Sequence, residues 1–189
     1  MGTSKKQKKR EWLRYRDFVL SPYGVIKIKS LGYTTYSPLR TWNVDPGSWV
    51  GVIGLGGLGH MAVKLAAGLG ADVTVMSLTN SKEADALSLG ADRLLVSSDS
   101  AAMAAALSYF DLIIDTVPVK HDVNPDMPLL KVDGTLVLVG QVCPLAEPTT
   151  VPLILGRQRI AGSLIGGISE TQEVIDFFER KNRSCPTVI

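Results

Sequence analysis

From Ser48 onward the chain alternates short apolar runs with longer stretches whose apolar positions recur at helical spacing. Strands buried on both faces read as continuous apolar runs, and crossover helices bury a single stripe, so this alternation predicts parallel βαβ units. "WVGVI" predicts a first strand, followed by a helix from about residue 58 to 69. Leu58, Met61, Ala62, Leu65, Ala66 and Leu69 share one face of that helix, and the small Ala62 and Ala66 allow close approach to a sheet. "DVTVMS" predicts the second strand and "SKEADALSL" the next helix, closed by Gly90. "DRLLVS" and "SAAMAAALS" give a third strand and helix, and "FDLIIDTV" suits a central strand. "NPDMPLLKVDG" reads as a short helix, "GTLVLVG" as a fifth strand and "RIAGSLIGG" as a sixth. "SETQEVIDFFERK" opens at Ser169, carries Glu170 and Glu173 in its first turn and ends basic, which matches the dipole of a last helix.

Six strands with crossover helices predict an α/β fold, a doubly wound parallel Rossmann sheet in the order 3-2-1-4-5-6. The segment before Ser48 stands outside this pattern. With 189 residues and 46% hydrophobic content, the chain suits one domain with an appendage. We divide it into a basic extension at 1–30, a cofactor-binding domain at 31–180 and a tail at 181–189. No apolar run of about 18 residues occurs, so no membrane span is expected. Cys143 and Cys185 form neither a disulfide framework nor a zinc-site spacing, and a cytoplasmic setting is expected.

Charge changes the picture only at the N-terminus. Lys5, Lys6, Lys8, Lys9, Arg10, Arg14 and Arg16 crowd there against Glu11. Such a cluster attracts phosphate or merely stays solvated. No base-reading fold follows it, so the solvated tail is preferred and no nucleic-acid partner is expected.

The candidate chemistry lies in "GLGGLG", residues Gly54, Leu55, Gly56, Gly57, Leu58 and Gly59. A G-x-G-x-x-G that follows a strand and opens an amphipathic helix has the context of a dinucleotide site. Gly54 permits the tight turn, Gly56 leaves space for a pyrophosphate, and Gly59 lets the helix sit against the strand. Free N–H groups at the helix start would then hold the phosphates. An NAD site usually places Asp or Glu at the end of the second strand, about twenty residues on. Here that position reads Ser77, Leu78, Thr79, Asn80, Ser81, Lys82, with hydroxyls and one cation but no carboxylate. NADP(H) is therefore the expected cofactor, its 2′-phosphate within reach of Lys82. The plainer reading makes Ser81 a helix cap and Lys82 a solvated cation, and both can hold together.

The strings "TTYSPLR", "VGVIGLGGLGHMAVKLAAGLGADVTV", "LGAD", "IIDTV", "GTLVLVG" and "AGSLIGGISETQEVIDF" occur in one order. On these residues, from about Gly32 to Phe178, the chain resembles the zinc-dependent medium-chain alcohol dehydrogenases of the cinnamyl-alcohol-dehydrogenase-like branch. The resemblance implies NADP contacts at Thr34, at Gly54 through Gly59, at Ser77 through Lys82, and at Thr116, Gly140, Ser163, Leu164 and Ile165. It also implies reversible hydride transfer between NADPH and an aldehyde, giving a primary alcohol, with a catalytic zinc polarising the carbonyl. Such a zinc takes cysteine and histidine ligands, and only Cys143, Cys185, His60 and His121 are present, with no two spaced as a pair. Ser30 stands where the family pattern has a zinc-ligand cysteine, and the family's N-terminal catalytic domain has no counterpart here.

Two functions follow. One is the NADP-binding part of an alcohol dehydrogenase, weak or inactive alone because zinc-dependent catalysis is lost. The other is a non-catalytic NADP(H)-binding or dimerisation module. The resemblance implies homodimers paired through the sixth strand. Asp111 and Asp115 flank the central strand, and Asp115 is kept as a weak contact candidate, while Tyr33, Tyr36 and Trp42 are read as packing residues.

Overall fold

The computed structural model describes residues 33–140, 143–164, 167, 170, 172, 173 and 176. The basic extension, the tail and Ile165 lie outside the described residues. Six parallel strands form one sheet: β1 (Trp49–Ile53), β2 (Asp72–Ser77), β3 (Arg93–Val96), β4 (Phe110–Asp115), β5 (Leu130–Leu138) and β6 (Arg159–Gly162). Their order is β3-β2-β1-β4-β5-β6, as the apolar pattern predicts. The central strands are buried on both faces, and Val50, Val52, Ile113 and Ile114 have no exposed surface.

Between β1 and β2 runs α2 (Gly57–Leu69), preceded in the chain by α1 (Tyr33–Thr41). Helix α2 buries Met61, Ala62, Val63, Leu65 and Ala66, while Leu58 and Leu69 are half-buried at the margins of the expected stripe. It ends where Gly70, at φ 96°, donates to the carbonyls of Ala66 and Ala67. Helix α3 (Glu83–Leu89) closes in the same way on Gly90, at φ 104°. Helix α4 (Ser100–Ala105) is capped by the Asp99 carboxylate, which accepts from the N–H groups of Ala101 and Ala102. On one face of the sheet α2 packs over Val50, Val52, Val73, Val75 and Ile114. On the other, Met76, Phe110, Ile113 and Leu136 pack with Met127 and Leu129.

Residues 33–47 stand outside the βαβ alternation, and α1 packs against α2 and contributes Leu39, which is fully buried, and Tyr36 to the core. Pro38 inside α1 obscures its helical pattern. Two expectations need correction. The expected helix in "NPDMPLLKVDG" is only a 3₁₀ turn, Met127–Leu129, and β5 begins directly after it. Phe110 faces Leu130 but Leu112 faces Thr135, so β5 bulges between them and Asp133 adopts φ 65°. The helix in the fifth crossover, α5 (Thr150–Leu155), was not expected, because "TVPLIL" is apolar apart from its first residue and contains proline. Of the last predicted helix, Glu170, Gln172, Glu173 and Asp176 are described, and all four are helical. Glu173 binds Arg40 at 2.5 Å, tying that helix to α1.

The amino ends of the strands are covered by tilted aromatic rings and ion pairs, which leaves the opposite end for a site. Trp49 and Tyr109 lie 3.9 Å apart at their ring centroids. Arg93 caps Tyr109 and pairs with Asp72, while Lys131 covers Trp49 and pairs with Asp111. Asp111 also accepts the N–H of Trp49, so this carboxylate is a structural clip rather than a member of an acid–base pair.

Candidate functional site at the carboxyl ends of the strands

The glycine turn joins β1 to α2 at the crevice between β1 and β4, where the strand order reverses. In doubly wound sheets ligands bind at this place. Each glycine there is required for a different reason. Gly54 sits at φ 83°, a conformation that L side chains rarely adopt. A Cβ on Gly59 would lie 2.1 Å from the Gly54 carbonyl oxygen, so only glycine lets α2 start this close to the strand. Gly56 differs: a Cβ there would meet nothing within 4 Å. It points into open space in front of the helix, where an anion would lie against the free N–H groups. Leu55 is buried in the core and anchors the turn, while Gly57 and Leu58 are half-buried in the first turn of α2. His60 folds back so that its Nδ1 lies 2.6 Å from the Gly56 carbonyl; it belongs to the turn's framework.

Thr116 follows β4 and locks the two halves of the crevice together. Its N–H and its hydroxyl both donate to the Ile53 carbonyl, at 3.1 and 2.7 Å. Gly140, after β5, lies flat against it, because a Cβ there would be 2.4 Å from the Thr116 carbonyl carbon and oxygen. Ser163 continues the β6 ladder by donating its N–H to Leu138, and Leu164 is 73% exposed beside it. Thr34 is buried in the first turn of α1.

At the end of β2, Ser77 is half-buried and Leu78 through Lys82 are exposed. Asn80–Lys82 form a 3₁₀ turn that leads into α3. Ser81 does not cap α3. Its hydroxyl lies 2.8 Å from that of Thr79, and Lys82 holds the cap position without a side-chain bond. The hydroxyls are thus clustered and the surface beside them is open to solvent.

Asp115, the weak contact candidate read from sequence, lies next to Thr116, and the burial of Asp126 beyond it was missed. Asp115 is fully buried, and its carboxylate accepts the Val117 N–H at 3.0 Å and lies 3.0 Å from His121 Nε2. Burial raises its pKa, opposed by the Val117 N–H and His121. Asp126, 8% exposed, is pushed up to about 7 by burial and by the neighbouring Asp115 charge. Strand-end aspartates are common, and only folding brings residues 115, 121 and 126 together. Among the described residues no three His, Cys, Asp or Glu side chains converge to hold a metal ion. His121 pairs with Asp115 and Val119, and Cys143 is free and exposed, so the donors among the described residues do not fit a catalytic zinc.

Comparison with known proteins agrees with this architecture. The Zinc-binding dehydrogenase family profile matches residues 57–180. Cinnamyl alcohol dehydrogenase 2 of Rauvolfia serpentina is 52% identical over 153 residues, covering 80% of this chain and 42% of that protein. A cinnamyl alcohol dehydrogenase structure from Sorghum bicolor superposes with a TM-score of 0.80 at 42% identity, covering 85% of this chain and 46% of that one. CAD from Helicobacter pylori, solved in complex with NADP(H), gives a TM-score of 0.74 at 39% identity, covering 86% and 47%. The chain spans less than half the length of these relatives. With the family profile matched over more than half of its length and the fold shared with these structures, the chain belongs to the zinc-binding dehydrogenase family and is alcohol-dehydrogenase-like.

Proposed function

We propose that the chain is the NADP(H)-binding part of an alcohol dehydrogenase-like oxidoreductase, whose reaction is reversible hydride transfer between NADPH and a small aldehyde, giving a primary alcohol. The observation that carries this reading is the open space in front of Gly56, at the start of a thirteen-residue helix. In this reading Gly54, Leu55, Gly56, Gly57, Leu58 and Gly59 cradle the pyrophosphate. Ser77, Leu78, Thr79, Asn80, Ser81 and Lys82 receive the 2′-phosphate. Thr116, Gly140, Ser163, Leu164 and Ile165 line the nicotinamide half, and Thr34 supports it from α1.

When bound, the nicotinamide supplies or accepts the hydride, and the protein's part is to fix its face and keep water away. No step is assigned to zinc, because the described side chains do not assemble its ligands. No described helix is long and apolar enough to cross a membrane, and a cytoplasmic setting goes with the reading. A second reading, a non-catalytic NADP(H)-binding or dimerisation module, is favoured by the edge position of β6 and by exposed Val151, Ile154, Leu155 and Leu164 near it. A homodimer paired through β6 is compatible with either.

The 2′-phosphate placement is tested by Ser77→Asp. A new carboxylate at the end of β2 repels that phosphate and accepts a ribose diol, so NADPH affinity should fall at least about tenfold relative to NADH. Calorimetric titration with both cofactors reads this, and unchanged NADPH affinity would remove the phosphate from this position.

A further inference from the structure

The peptide between Gly56 and Gly57 is the least restrained link of the glycine turn. Glycine on both sides leaves its plane free of Cβ contacts, so local sterics do not decide which way it faces. The direction matters, because the Gly56 carbonyl and the Gly57 N–H lie on opposite sides of one trans peptide. When the carbonyl points back along α2, the N–H points forward, into the open space in front of the helix. Gly57 is the first residue of α2, and its N–H has no acceptor within the helix. That first turn carries no acidic side chain, so no carboxylate of its own competes with an anion for this donor.

Two donors of a single residue hold the Gly56 carbonyl. The His60 N–H donates to it at 2.9 Å as part of the helix ladder, and His60 Nδ1 lies 2.6 Å from the same oxygen. A carbonyl can only accept, so Nδ1 carries a hydrogen in the neutral ring and the charged ring alike. The ring reaches this oxygen because a helical side chain leans toward the N-terminus and covers the preceding turn. With both of its lone pairs engaged, the carbonyl resists rotation of the peptide plane. Nε2 lies on the other side of the ring and takes no part in this contact.

We propose that His60 is a positioning residue for the pyrophosphate of the cofactor: its Nδ1–H pins the Gly56 carbonyl and so aims the Gly57 N–H at the anion. The proposal rests on the NADP(H) reading given above. A donor already aimed before the cofactor arrives needs no ordering on binding, and this raises affinity without any added contact. The 2′-phosphate, at the end of β2, lies outside the reach of the effect.

The test compares His60→Leu, His60→Asn and His60→Gln in the full chain. Each is titrated with NADPH and, separately, with adenosine 2′-monophosphate, which carries the 2′-phosphate but no pyrophosphate. Leucine keeps the bulk and removes the donor. The asparagine amide nitrogen falls near the place of Nδ1, whereas the glutamine amide reaches toward that of Nε2. His60→Leu should weaken NADPH at least about fivefold, the loss of one hydrogen bond, and leave adenosine 2′-monophosphate within about twofold. His60→Asn should bring NADPH back to within about twofold of the wild type, and His60→Gln should not. Wild-type NADPH affinity in His60→Leu overturns the proposal. So does recovery by glutamine, or its absence with asparagine, since the ring would then act through Nε2 or through bulk alone. These outcomes leave the cofactor reading intact. If His60→Leu loses both probes by failing to fold, asparagine against glutamine decides by the same criterion. Failure of the wild-type chain to bind both probes overturns the cofactor reading, and this proposal with it.

Discussion

Gly56→Val should lower NADPH affinity at least about 100-fold while costing no more than about 1 kcal/mol of stability, the loss of a favourable N-cap residue. The separation of the two effects is the point. Gly56 has an extended backbone, at φ −90° and ψ −162°, which valine tolerates, and its Cβ direction is empty. The branched side chain would occupy only the space in front of the helix, where the pyrophosphate is proposed to lie. Gly59→Ala should show the reverse order of effects, because its methyl group collides with the Gly54 carbonyl and the turn itself must move. Overpacking of that kind costs roughly 1–3 kcal/mol, and cofactor binding would fail as a consequence. Urea melts and titrations on both variants read the contrast. A Gly56→Val chain that binds NADPH normally would show that the open space is not the phosphate's seat.

Asp126→Asn should stabilise the protein at pH 8, an unusual direction for a change in a buried polar group. The folded state holds Asp126's proton up to about pH 7, whereas the ordinary value is 3.8. Below that ordinary value both states are protonated and the group makes no pH-dependent contribution. As pH rises from about 4 through about 7 the unfolded chain releases the proton and the folded chain resists, so stability falls. Above that window the accumulated penalty reaches up to about 4 kcal/mol. Asparagine keeps the neutral shape without the charge, so the variant should match the wild type near pH 4 and exceed it at pH 8. Denaturant unfolding at both pH values decides this. Equal stability at pH 8 would mean that Asp126 is not held in its neutral form at neutral pH.

The order of the sheet was readable because its central strands are continuous apolar runs and its crossover helices carry one clear stripe, Met61, Ala62, Leu65 and Ala66. The glycine turn was readable because steric demands on Gly54 and Gly59 are local to the chain. What escaped reading depends on contacts distant in sequence. Helix α1 hides Leu39 behind a proline-broken pattern, and the early start of β5 comes from a bulge that no local propensity signals. Ser81 looked like a cap, but the 3₁₀ turn places Lys82 at the helix start instead. The Asp115–His121–Asp126 cluster joins a strand end to a loop, and the burial that sets its electrostatics exists only after the sheet has formed.

Calorimetric titration of the full chain with NADPH and with NADH under identical conditions asks whether the crevice holds a dinucleotide, and which one. One NADPH should bind per chain, with an affinity at least about tenfold above that for NADH. A folded chain that binds neither cofactor, or that prefers NADH, would contradict the proposed function.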